Sequence, residues 1–190
     1  MALLQTPRLL LRPVEEQDAP VLLAIRDSEY VLRYNAMQPM TPERWLDCVR
    51  REAKEPGTFC MVLKETSAPI GMIYAGEDDL RYQVPARTLA YWMDEQKAGR
   101  GLMTEALRAV MDYCFEELGC EVISARCFGP NAGSRRVLEK LGMTQEGCLR
   151  RAVRGWQGVV YDDCVYGLLR EEWAQLNPGA SIQHFADQGC

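Results

Sequence analysis

The sequence predicts an α/β (α+β) domain built on one mixed central sheet of about seven strands flanked by about four helices. Three observations predict it. Strand-like and helix-like patterns follow one another in the order β-α-α-β-β-β-α-β-α-β-β. Three of those strands are consecutive, and a purely parallel sheet needs a crossover between neighbours, so the sheet is mixed. A glycine-containing loop, Gln96-Lys97-Ala98-Gly99-Arg100-Gly101, joins an apolar strand to a helix. With 190 residues, 47% of them hydrophobic, the chain can bury one sizeable core. We place that single domain over residues 1–176. Residues 177–190 have little periodicity and are expected to form a mobile tail.

Arg8 to Val14 reads as the first strand, and Glu15 to Asp27 as a helix with acidic residues in its first turn. Thr41 caps a second helix, with Pro42 at its first position. Thr58 to Glu65 and Ile70 to Gly76 form two strands joined at Ser67-Ala68-Pro69. The polar stretch Glu77 to Arg87 leads to the strand Thr88 to Met93. Leu102 to Phe115 carries helical apolar spacing, and Gly119 stops that helix. Val122 to Phe128 is the next strand. Asn131 opens a short helix that Gly142 closes. Thr144 to Arg154 and Val159 to Leu169 form a closing hairpin, and Arg170 to Gln175 a last helical turn.

Composition narrows the function. The net charge of −5 argues against a nucleic-acid partner and suits a cationic one. No apolar run approaches the roughly 20 residues that span a bilayer. Eight cysteines are present without a Cys-x-x-Cys pair, so neither a zinc site nor any other metal site is expected, and a reduced, cytoplasmic protein is.

The loop at 96–101 is an anion site in the making. Glycines let backbone N–H groups approach an oxyanion, and the following helix N-terminus favours negative charge. No Gly-Lys-Ser/Thr closes it, and the third glycine of a dinucleotide fingerprint is missing. Together with Leu102-Met103-Thr104-Glu105-Ala106, the Gln-x-x-Gly-x-Gly pattern resembles the pyrophosphate loop of the GCN5-related N-acetyltransferases. Asn131-Ala132-Gly133-Ser134 and Glu139-Lys140-Leu141-Gly142-Met143 resemble a second block of that family. Thr6 to Pro13 and Tyr161 to Leu169 resemble the branch of ribosomal-protein N-terminal acetyltransferases. The resemblance covers about Thr6 to Gln175.

The resemblance implies a fold in which the fourth and fifth strands run parallel and splay apart around the pantetheine arm of acetyl-CoA. It implies an acetyl-CoA site at Gln96, Lys97, Ala98, Gly99, Arg100, Gly101 and Met103. Backbone contacts would come from Trp92 and Met93, and side-chain contacts from Asn131, Ser134 and Arg136, with Arg135 and Lys140 as further cations. Ser134 is the candidate to protonate the leaving thiolate, and Asn131 also suits a helix cap. Ribosomal members place a Glu seven residues beyond a Glu-Gly pair. Here the pair is Glu146-Gly147 and that position is Val153. Glu146, Asp162, Asp163 or bound water remain as bases, with Tyr161 and Tyr166 as proton carriers. The sole histidine, His184, lies in the tail. Tyr34, Trp156 and Asp162 are candidate acceptor contacts. The acceptor would be a small-molecule amine or a protein N-terminus, acetylated directly in a ternary complex. Dimers are common in that family, which leaves a homodimer open. A CoA-binding module without catalysis is the alternative.

Overall fold

A computed structural model describes residues 2–177. The strands are β1 (Leu4–Gln5), β2 (Leu9–Arg12), β3 (Thr58–Leu63), β4 (Ala68–Glu77), β5 (Ala86–Met93), β6 (Val122–Phe128), β7 (Thr144–Arg154) and β8 (Val160–Leu169). The helices are α1 (Ala19–Arg26), α2 (Glu29–Leu32), α3 (Pro42–Glu52), α4 (Leu102–Glu116), α5 (Ala132–Lys140) and α6 (Arg170–Leu176). These strands make one mixed sheet in the order β1-β2-β3-β4-β5-β6-β8-β7. Every neighbouring pair is antiparallel except β5–β6.

The expected architecture is present, with local differences. The eighth strand arises because Leu4–Gln5 folds back onto Leu10–Leu11. The helix expected from Glu15 starts instead at Ala19, after a 3-10 turn over Glu16–Asp18. Pro20 lacks an N–H and fits only the first helical turn, so it sets that start. The short helix α2 escapes periodicity; the Ser28 side chain caps it by accepting from the Val31 N–H at 3.3 Å. Thr41 caps α3 as expected, accepting from the Arg44 N–H at 3.4 Å. The tail from residue 178 onward, His184 included, lies outside the described residues.

Both faces of the sheet are covered, and β3 is accordingly buried along nearly its whole length. On one face Phe59, Met61, Ile73, Leu89 and Ile123 pack against Met103, Leu107, Val110 and Met111 of α4. On the other, Cys60, Val62, Met72 and Trp92 pack against Leu22 of α1 and Trp45 and Val49 of α3.

Where β5 meets β6 the sheet opens. Their parallel pairing holds Ala86–Leu89 to Val122–Ala125 and goes no further. β5 stays paired with β4 through Met93, and β6 stays paired with β8 through Phe128. The two strands therefore part beyond Leu89 and Ala125, and a gap crosses the sheet. The N–H of Asp94 donates to the Ile70 carbonyl at 2.8 Å. By the alternation of an antiparallel ladder, Trp92 turns its main chain toward Met72, while Tyr91 and Met93 turn theirs toward the gap.

Candidate active site

Two clefts meet at this gap. The first, of about 480 Å³, lies between the loop before α4, the start of α5 and the exposed end of β5. Lys97, Ala98, Gly99, Gly101, Met103, Trp92, Met93, Asn131, Ser134 and Arg136 line it, and so do Lys140 and Tyr34. Gly101 is the α4 N-cap and has φ +75°, and Gly99 has φ +73°, a region L side chains adopt only with strain. The first N–H groups of α4 have no partner inside the helix. Lys97, Arg136 and Lys140 add positive charge around them. The chemistry of this wall suits a pyrophosphate.

The second cleft, of about 630 Å³, is bounded by α1, α3, the segment after α2 and the splayed strands. Its lining includes Met37, Met40, Trp45, Glu52, Tyr74, Arg126, Cys127, Phe128, Val153 and Asp163. Tyr34, Tyr91, Trp92, Asn131 and Ser134 belong to both clefts and mark their junction.

At the junction Ser134 Oγ lies 2.8 Å from the Tyr91 hydroxyl. Burial pushes the Tyr91 hydroxyl well up from its usual range, and the Ser134 contact opposes this only in part. Tyr91 is thus a neutral O–H beside the Ser134 hydroxyl. The Ser134 N–H donates to Asn131 Oδ1 at 3.1 Å, so Asn131 caps α5 with its oxygen. Its amide nitrogen, a donor, takes no part in that cap.

Several candidate residues stand elsewhere. Glu146 is not among the lining residues of either cleft, because Arg81 Nη2 holds both its oxygens at 2.7 Å. Asp162 is exposed and accepts from the Arg151 N–H at 2.7 Å. Tyr161 packs between Phe128 and Tyr34, with ring centroids 5.2 and 6.0 Å away, and lines neither cleft. Trp156 lines neither cleft, and its backbone N–H donates to the Asn35 carbonyl at 3.3 Å. Gln96 and Arg100 are exposed on the loop. The Gln96 N–H donates to Asp94 Oδ1 at 3.0 Å, and the Arg100 carbonyl accepts from Arg8 Nη1 at 3.0 Å.

Tyr91, Glu52, Tyr74 and Arg126 line the site although their sequence pattern marks none of them. Tyr91 reads as one more core residue of an apolar strand. Only its alternation with Trp92 signals that it faces α5. Arg126 Nε donates to buried Asp163 Oδ2 at 2.6 Å, and Nη2 pairs with the same oxygen.

Comparison with known proteins fits this geometry. Residues 8–144 match the Acetyltransferase (GNAT) domain, and the chain belongs to that family: it is an N-acetyltransferase. It is 28% identical to the uncharacterized N-acetyltransferase YoaA of Bacillus subtilis over 174 residues, which cover 88% of this chain and 97% of YoaA. The ribosomal-protein-S5-alanine acetyltransferase of Vibrio fischeri shares the fold. The TM-score is 0.78 at 20% identity, over 91% of this chain and 99% of that one. RimJ of Mycobacterium smegmatis, solved in complex with CoA-disulfide, gives a TM-score of 0.75 at 25% identity. That match covers 90% of this chain and 87% of RimJ.

Proposed function

We propose that the protein moves the acetyl group of acetyl-CoA to a primary amine, in one step within a ternary complex. One observation carries this reading: a donor cleft and an acceptor cleft share Tyr91, Asn131 and Ser134 at a gap in the sheet. The α4 N-terminus receives the pyrophosphate, with Lys97 and Arg136 beside it. The main chains of Tyr91 and Met93 bind the pantetheine amides, and an N–H there stabilises the carbonyl oxygen as charge develops. As the C–N bond forms and the C–S bond breaks, Ser134, backed by Tyr91, gives its proton to the leaving thiolate and recovers one from the water that takes the amine's proton. Positioned proton transfer of this kind contributes about 10²- to 10⁴-fold.

Direct transfer fits the state of Cys127, one of two cysteines, with Cys48, that line the acceptor cleft. Burial, reinforced by Asp163, pushes the Cys127 thiol up to about 11, so it is not a thiolate nucleophile at neutral pH. The acceptor is a protein N-terminus or a small amine. An α-amine, with a pKa of roughly 8, needs little help to lose its proton. Val153 lines the acceptor cleft where some ribosomal members carry a Glu, so water serves as the final proton acceptor. The acidic chain suits a cytoplasmic setting away from nucleic acid, and no described helix is long and apolar enough to cross a membrane.

Calorimetry with acetyl-CoA tests the reading, with ATP and NAD as competitors and Gly101→Val as the control. Binding that is lost in the valine variant and resists both competitors is expected. At 100-fold over Kd the ligand should add roughly 2.7 kcal/mol, raising Tm by about 5–10 °C. Acetylated product, followed by mass, then identifies acceptors. Absence of binding at roughly millimolar acetyl-CoA, far weaker than a usual substrate affinity, overturns the proposal.

A further inference from the structure

Two carboxylates line the acceptor cleft, and they are in opposite situations. Asp163 is buried and held by the Arg126 guanidinium. Glu52 forms no ion pair with any lysine or arginine among the described residues. Its side chain accepts from the Tyr74 hydroxyl at 3.1 Å. It is also the last residue of α3, where the helix dipole disfavours a negative charge. Burial raises its carboxyl above the usual range, against the opposing hydrogen bond from Tyr74 and the charges of Arg51 and Arg26. A partly buried carboxylate at the wrong helix end, which Arg51 and Arg26 influence only from beyond ion-pair distance, is costly to the free protein. A cation entering the cleft would relieve that cost. Tyr74, Tyr34 and Trp92 line the same cleft, and aromatic rings suit the same visitor.

We propose that Glu52, supported by Tyr74, is the acceptor-recognition residue and receives the acceptor's ammonium group as it enters, before the reacting amine gives up its proton to water. The inference rests on the transferase reading above and narrows its substrate class to cationic amines. Glu52 acts as the carboxylate, so recognition weakens on acidification as it takes up a proton. The charged and titratable groups around it are Arg51 and Cys48 on α3, Arg26 on α1 and Tyr74 on β4, with Arg126 and Asp163 in the same cleft.

Steady-state kinetics at saturating acetyl-CoA test it, with spermidine and trialanine as separate acceptor probes. Glu52→Gln keeps the size of the side chain and an oxygen for Tyr74. It should raise KM for the accepted probe by about tenfold or more, since a hydrogen bond to a charged group is being lost. KM for acetyl-CoA should not change. In the wild type the amine KM should climb as pH falls toward the carboxylate range, and in Glu52→Gln it should be flat. Tyr74→Phe, which keeps the charge, should raise KM less. The probe that responds separates a polyamine from a peptide N-terminus. An amine KM within about twofold of wild type in Glu52→Gln, well below the effect of a lost charged contact, overturns the inference and leaves the transferase reading standing. A wild type that acetylates neither probe nor any other amine overturns both.

Discussion

The clefts proposed for donor and acceptor adjoin at one gap yet are made of different material. The donor side is largely backbone: the α4 N-terminus with its two left-handed glycines, and the free edge of Tyr91 and Met93. The acceptor side is side chains, gathered from α1, α3, β4, β6, β7 and β8. Backbone groups bind what every member of a family shares, because they survive most substitutions. Side chains bind what distinguishes one member from another. The difference teaches where specificity resides in this chain.

The largest expected effect lies at the junction. Ser134→Ala should lower kcat by roughly 10²-fold or more if its proton reaches the thiolate. Acetyl-CoA affinity, measured by calorimetry, should hold. Tyr91→Phe should show the same pattern in weaker form. An affinity loss in place of a kcat loss would break the comparison, because the junction would then belong to the donor side alone.

A smaller effect tests the backbone half. A Cβ on Gly71 would lie 2.3 Å from the Trp92 carbonyl oxygen and 2.8 Å from Met93 Cα, both main-chain atoms. Gly71→Ala must displace the edge of β5, at about 1–3 kcal/mol of stability. We expect a lower Tm together with weaker acetyl-CoA binding. Lys97→Ala and Arg136→Ala, which remove a half-buried and an exposed charge, should each cost less than about 1 kcal/mol of binding. If the two alanines at cationic positions weaken binding more than Gly71→Ala does, the donor cleft is not a backbone device.

The smallest effect concerns the strap that holds the loop. Burial raises the Glu105 carboxyl, but hydrogen bonds from Thr6, the Arg8 N–H and the Arg8 guanidinium outweigh it and hold it below the usual carboxylate range. The unfolded chain therefore takes up this proton first on acidification. The stabilisation is complete above the ordinary carboxylate range and is lost as pH falls through the lower, folded value. Glu105→Gln should cost about 1 kcal/mol near pH 7, or about 2–4 °C in Tm, and much less in acid. An equal loss at both pH values would mean the carboxylate charge plays no part.

The same contrast explains what the sequence made legible. The strand at 88–93, the loop at 96–101 and the caps at Thr41 and Asn131 are local, and each is written in a few adjacent residues. The acceptor wall is not local. Glu52 and Tyr74 stand 22 positions apart, and Arg126 and Asp163 37. Glu146 and Asp162 looked like candidates because they are acidic and close to family landmarks. Pairing with Arg81 and the alternation of β8 direct them elsewhere, and neither effect leaves a trace in neighbouring residues. Pro20 was a readable signal for the late start of α1.

The parting of β5 from β6 has a mechanical side. Four registered pairs, Ala86 to Leu89 against Val122 to Ala125, stitch a five-stranded panel to a three-stranded one. Beyond that seam the panels are joined by helices rather than by a ladder. An extended, amide-bearing ligand wedged into the opening becomes a strut between the two panels. Amide hydrogen exchange along Tyr91 to Met93 should then slow when such a ligand binds, and the seam should be where the empty molecule first gives way.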